Sequence, residues 1–201
     1  MNNIITHYQT ITQLGTSIFA DRGSNFLGFA TPINKVETVK PFILKLKKEH
    51  QKANHFCYAY RLGVQKNIFK CSDDGEPSYT AGKPILGQID SHAITNVLVV
   101  VVRYFGGSLL GVPGLINAYK TAASHAIQVA PIITKSIEVA VIIEFNYTQI
   151  NVVLNLIKTY QVIIDSHEQQ LFCRYNLLCP KAVENIFIHA LEKINGVKVI
   201  V

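Results

Sequence analysis

The chain has 201 residues, 49% of them apolar, and a formal net charge of +6. That is enough material for a real core, in one large domain or two small ones, and two are expected. No run of about 18 consecutive apolar residues occurs, and Met1-Asn-Asn-Ile-Ile-Thr-His lacks the basic start and long apolar core of a secretory leader, so a soluble, cytoplasmic protein with no membrane partner is expected.

Residues 16–31 read as a hairpin, with Ser17-Ile-Phe-Ala and Asn25-Phe-Leu-Gly-Phe-Ala flanking the turn chemistry of Asp21-Arg-Gly-Ser. Val39, Phe42, Ile43 and Leu46 then fall at i, i+3, i+4 and i+7, the apolar stripe of a helix with lysines opposite. Asn34 with Glu37 offers a capping-box start, which would put Pro41 inside the helix and remove a backbone donor. His55-Phe-Cys-Tyr-Ala-Tyr-Arg-Leu and Asn67-Ile-Phe-Lys-Cys predict two strands joined around Gly63. Val97 to Val102 is continuously apolar, the pattern of a central strand covered on both faces. Leu115, Ala118, Tyr119, Ala122 and Ala126 recur at helical spacing, and their small members allow close approach to a sheet.

From about Ile133 the pattern restarts. Strand 137–145, helix 148–159, strands 161–166 and 170–178, helix 180–194 and strand 197–201 give the βαββαβ order of a ferredoxin-like split unit. Pro131 and the polar step Thr134-Lys135 mark the boundary, so the expectation is an α+β protein with domains 1–132 and 133–201. No carboxylates, histidines or glycines gather into a site in the second half, which reads as a packing or docking module.

The charge is uneven: up to Ile133 there are 13 Lys+Arg and 7 Asp+Glu, and beyond it 6 of each, so the whole excess is N-terminal. A basic first domain suits a phosphate-rich partner such as RNA, while Lys45, Lys47, Lys48 and Lys52 also suit the solvated side of a helix. Cys57, Cys71, Cys173 and Cys179 include no CxxC pair and predict reduced structural thiols rather than a zinc site.

Two segments concentrate unusual chemistry: Ser72-Asp-Asp-Gly-Glu-Pro-Ser-Tyr-Thr-Ala-Gly-Lys-Pro84, and the apolar strand with its sequel Arg103-Tyr-Phe-Gly-Gly-Ser-Leu-Leu-Gly-Val-Pro-Gly114. Asp73, Asp74 and Glu76 have the oxygen chemistry of a cation site or an acid/base pair, yet the calcium-loop spacing fails. An Asp-Gly turn followed by a helix start at Pro77-Ser78, or acids presented to a partner, fit the same residues. The loop holding Gly106, Gly107, Gly111 and Gly114 precedes a helix N-terminus, a place that favours anions. Val112-Pro113 stands where a phosphate-binding P-loop needs Lys-Ser/Thr. Arg103 ends the buried strand and must pair or face a cleft, with Asp73, Asp74 and Glu76 as candidate partners. Lys83 sits at the presumed rim, Tyr104 and Phe105 suit either base stacking or packing, and His55 reads as a hydrogen-bonded core histidine. Neither a metal site nor a cofactor is expected.

Together, His55-x-Cys-Tyr-Ala-Tyr-Arg61, Ser72-Asp-Asp-Gly-Glu-Pro-Ser-x-Thr-Ala-Gly-Lys-Pro84, Val100-Val-Val-Arg-Tyr-Phe-Gly-Gly and Leu110-Gly-x-x-Gly-Leu-x-x-Ala-Tyr119 resemble the IMPACT/YigZ family. The resemblance implies a ribosomal-protein-S5 domain-2-like fold for residues 1 to about 132 and an elongation-factor-G domain-V-like second half. Eukaryotic relatives regulate translation under amino-acid starvation and carry an additional RWD domain that is not in this sequence. Two departures stand out: Tyr79 occupies a position usually held by Gly or another small residue, and Val112-Pro113 replaces a small-Gly pair.

The expected function is a non-enzymatic, translation-associated binding protein. It contacts RNA or a ribosome-associated protein through Lys83, Arg103 and the glycine loop at one cleft, with Asp73, Asp74, Glu76, Tyr104, Gly106, Gly107, Gly111 and Gly114 completing the set. Two alternatives stay open: a metal-assisted phosphoryl-transfer or hydrolytic enzyme built on Asp73, Asp74 and Glu76, and an RNA-independent adaptor docking through the second half.

Overall fold

The computed structural model describes residues 5–200, which form two compact units: residues 8–135, and residues 136–200 together with 5–7. The first unit is built on a five-stranded antiparallel sheet of β2 (Gly15–Asp21), β3 (Ser24–Pro32), β4 (His55–Leu62), β5 (Ile68–Ser72) and β6 (Val97–Tyr104), in the order β2-β3-β6-β4-β5. β6 is central because it is apolar on both faces, and all six residues from Val97 to Val102 are fully buried. Its alternation divides two cores. Val97, Val99 and Val101 pack with residues of α2 (Gly82–Ser91) and α3 (Gly111–Val129), while Leu98, Val100 and Val102 pack with Val39 and Leu46 of α1 (Val39–Glu49).

The α3 helix lies very close to the sheet. A Cβ on Gly28 would come within 2.5 Å of the Ala122 carbonyl oxygen, and one on Gly15 within 2.1 Å of that of Ala126. Glycine in the strands and alanine on the helix are thus one feature seen from two sides, as the alanine spacing led one to expect. The start of α1 departs from the expected capping box. Neither Asn34 nor Glu37 caps it; a short 3-10 turn at Val36–Thr38 precedes the helix, and Pro41 becomes its third residue. First-turn N–H groups have no intrahelical acceptor, so proline costs no hydrogen bond there.

A pair of short strands was not visible in the sequence: β1 (His7–Ile11) and β7 (Ile132–Ser136) form a separate two-stranded sheet, with Thr12 N–H donating to the Pro131 carbonyl at 3.0 Å.

The second unit contains β8 (Glu138–Phe145), α4 (Ile150–Thr159), β9 (Ile163–Gln169), β10 (Cys173–Pro180), α5 (Glu184–Glu192) and β11 (Val197–Ile200). Its antiparallel order β11-β8-β10-β9 is the split βαββαβ arrangement. Val141, Ile143, Phe145, Tyr175 and Leu177 project to a core with Val153 and Ile157 of α4 and Phe187 and Leu191 of α5. β9 begins two residues later than expected because Gln161 adopts a left-handed φ of +55° and Val162 N–H returns to the Ile157 carbonyl, closing α4. Residue 201 of the expected last strand lies outside the described residues.

Candidate functional site

Strand parity decides where the chemistry of the first unit goes. Arg103 continues the face of Val97, Val99 and Val101, and it lies cross-strand from Phe26 on one side and His55 on the other. Its guanidinium therefore enters the α2–α3 side, between two aromatic rings, Phe26 at 5.4 Å and Phe105 at 5.5 Å. Tyr104 points the opposite way, where its hydroxyl meets His50 Nδ1 at 2.9 Å, so it does not share a site with Arg103.

The acid that meets Arg103 is delivered by a tight turn. Glu76 N–H donates to the Asp73 carbonyl at 2.9 Å, and Asp74 and Gly75 between them both have positive φ, +41° and +88°. That is the primed turn for which Asp-Gly is suited. It drives Glu76 inward until its side chain is only 3% exposed. Glu76 Oε1 accepts from Arg103 Nη1 at 2.6 Å and from the Tyr119 hydroxyl at 2.7 Å, and His55 Nε2 lies 3.9 Å away. His55 Nδ1 sits 2.9 Å from the Asp74 carbonyl, which only accepts, so the Nδ1 proton is committed there. Burial, reinforced by the neighbouring Cys57 thiol, holds the Tyr119 hydroxyl far above its ordinary pKa and keeps it a donor. Burial likewise raises the Cys57 thiol, which donates to the Asp73 carbonyl.

The three acids thus have separate destinations. Asp73 accepts from the backbone N–H groups of Tyr79, Ala81 and Gly82 at 2.8–3.0 Å and caps the start of α2 from a distance. Asp74 Oδ2 accepts from Phe56 N–H at 2.7 Å. Their oxygens do not converge on a cation, and among the described residues there is no group of three or more His, Cys, Asp or Glu side chains that could hold one. The expected helix start at Pro77-Ser78 also fails: α2 begins at Gly82, because Asp73 gathers the N–H groups of 79, 81 and 82 into a turn first. Tyr79 stands in that turn with φ +68°, a conformation glycine adopts without cost. Its exposed ring carries Lys83 Nζ at 3.8 Å.

The glycine loop returns to the same place. Its first turn is steric: a Cβ on Gly106 would lie 1.9 Å from the Gly23 carbonyl carbon, and Gly106 N–H donates to Ser24 Oγ at 3.1 Å. The Gly106→Ala variant should be destabilised by about 1–3 kcal/mol, since only backbone can yield; a melting temperature equal to wild type would refute this close approach. Gly107 and Gly111 have φ of +86° and +71°, and Pro113 is the third residue of α3, where it again costs no hydrogen bond. The loop and the first turn of α3 close over a cavity of about 390 Å³ lined by His55, Glu76, Pro77, Arg103, Phe105, Leu109, Leu110, Gly111, Val112 and Leu115. Arg103, Glu76 and the loop therefore meet as one site, whereas Lys83 and Tyr104 are not among its lining residues. Tyr119, which completes the network, reads in the sequence as a core position of a helix and as the end of a family motif, with nothing local to show that its hydroxyl meets Glu76.

This unit has documented relatives. The Impact N-terminal domain family matches residues 22–127. An IMPACT family member of Haemophilus influenzae is 33% identical over 176 residues, covering 86% of this chain and 85% of that one. The IMPACT family member YvyE of Bacillus subtilis is 31% identical over 157 residues, 78% of this chain and 72% of its own. A solved structure, described only as that of a hypothetical protein, aligns with a TM-score of 0.75 at 26% identity over 98% of both chains. With that match spanning the turn at 73–76, Arg103 and Tyr119, the chain belongs to the IMPACT family.

Proposed function

We propose that this chain is a translation-associated binding protein whose first unit contacts RNA through its α1 side. The observation that carries the reading is a groove of about 410 Å³ between α1, β4 and β5, in which Lys40, Lys47 and Lys70 surround Tyr58, Tyr60 and Leu44. Lysines beside an aromatic, apolar floor match phosphates beside bases, and the entire charge excess lies within residues 1–133. The translation-associated role that the family resemblance implies favours the same setting. Arg103 is not a phosphate contact in this reading: it is 5% exposed and already paired with Glu76. No helix is long and apolar enough to cross a membrane among the described residues.

The test is binding of a single-stranded RNA across a salt series. Affinity should fall linearly on a log-log plot, and changing Lys40, Lys47 and Lys70 to alanine should reduce the slope by about 2. An unchanged slope in the triple variant, or no binding by the wild-type chain at low salt, would sink this reading. A protein-docking role has one observation of its own: in the second unit, Leu171 and Phe172 at the tip between β9 and β10 are 91% and 64% exposed. Wild-type chain that ignores RNA would shift attention there.

A further inference from the structure

The cavity beside Arg103 is left unused by RNA binding on the α1 side, and its two ends differ sharply in character. One end is polar, with His55, Glu76 and Arg103; the rest is walled by Phe105, Leu109, Leu110, Val112 and Leu115. At about 390 Å³ it falls within the range of small-ligand sites. Arg103 is 5% exposed, and although Nη1 donates to Glu76, its Nε is buried without a hydrogen-bond partner among the described residues. A guanidinium presents Nε–H and a neighbouring Nη–H in parallel, the fork that fits a carboxylate. Gly111 and Val112, the first residues of the 19-residue helix α3, border the same cavity, and helix N-termini offer free N–H groups and a positive dipole end.

Charge decides which anion. Glu76 neutralises the charge of Arg103, which leaves the helix terminus and the Arg22 guanidinium, 3.5 Å from the Leu109 carbonyl, as the positive field, and this suits one negative charge better than a phosphate dianion. Three wall residues also reach solvent: Leu109 is 84% exposed, Val112 52% and Phe105 44%. Such apolar surface around a polar pocket is what an apolar ligand body would cover. We infer that this cavity binds a small apolar molecule carrying one carboxylate, with the anion at Arg103 Nε and the first turn of α3, and the body against Leu109, Leu110 and Leu115. The same chemistry is presented by a free acid and by the C-terminal residue of a peptide, and the site is independent of the RNA reading.

The probes are N-acetyl-leucine and acetyl-Ala-Ala-Leu, each against its C-terminal amide, titrated into the full chain while the Arg103 Nε–H and the leucine methyl resonances are followed by NMR. Saturable shifts at Arg103, Leu109 and Leu110, with each amide at least about tenfold weaker than its acid, are expected. Tighter binding of the peptide identifies a chain terminus as the source, and tighter binding of the free amino-acid derivative a metabolite-sized acid. The Val112→Glu variant places a negative charge at the cavity mouth on a half-exposed position where an acid suits the helix dipole, so it should fold normally and lose binding about tenfold or more. Equal binding of acid and amide, no saturation up to about 10 mM, or an unaffected Val112→Glu variant would each overturn the inference.

Discussion

Replacing Glu76 with alanine should destabilise the first unit by about 3–5 kcal/mol, the largest single effect expected in the molecule. The variant removes the acceptor of Arg103 Nη1 and of the Tyr119 hydroxyl together, and both donors are buried, at 5% and 0% exposure. A buried guanidinium without a counter-charge is far more costly than the pair was favourable, because the desolvation it suffered is no longer offset. The double variant Glu76→Ala with Arg103→Met should therefore recover much of the loss, methionine lying between Phe26 and Phe105 with no charge to satisfy. Hydrogen exchange of the β6 amides reads the stability of this unit directly. A loss below about 1 kcal/mol in the single variant, or a double variant no better than the single, would contradict a buried, mutually dependent pair.

Asp73→Ala should come second, at about 3 kcal/mol, since hydrogen bonds to charged acceptors are the stronger class. Three backbone N–H groups, those of Tyr79, Ala81 and Gly82, depend on this one carboxylate, and among the described residues no other side chain caps the start of α2. Asp74→Ala loses one such bond, to Phe56 N–H, together with a long contact to Lys47 at 3.8 Å. It should cost about half as much. Thermal melts of the two variants test the order. If Asp74→Ala proved the more damaging, the assignment of Asp73 as the organiser of the 73–82 segment would be wrong.

Where a pattern is local, the sequence alone was sufficient to determine it. Six consecutive apolar residues at 97–102 demanded a strand covered on both sides, because no surface position tolerates that run. Asp-Gly at 74–75 offered a turn among the readings of its acids, and the alternation of periods after Ile133 pointed to βαββαβ. Alanines at 118, 122 and 126 already announced a helix pressed against a sheet. Other features depend on residues far apart in the chain, and these only the tertiary structure decided. The residues of β1 carry no strong pattern and become a strand because residues 132–136 arrive beside them. Asn34 and Glu37 look like a cap, yet the helix begins after them because a 3-10 turn intervenes. Three acids within four residues were equivalent candidates for Arg103, and the turn alone selects Glu76 by aiming it inward while Asp73 is held by backbone N–H groups. Adjacent Arg103 and Tyr104 looked like one site and lie on opposite faces, because neighbours on a strand point opposite ways. Composition and periodicity thus determined most of the elements; the pairing of distant strands determined which side chains meet at the cavity, since a hydrogen-bond partner is chosen by position in space and not by separation along the chain.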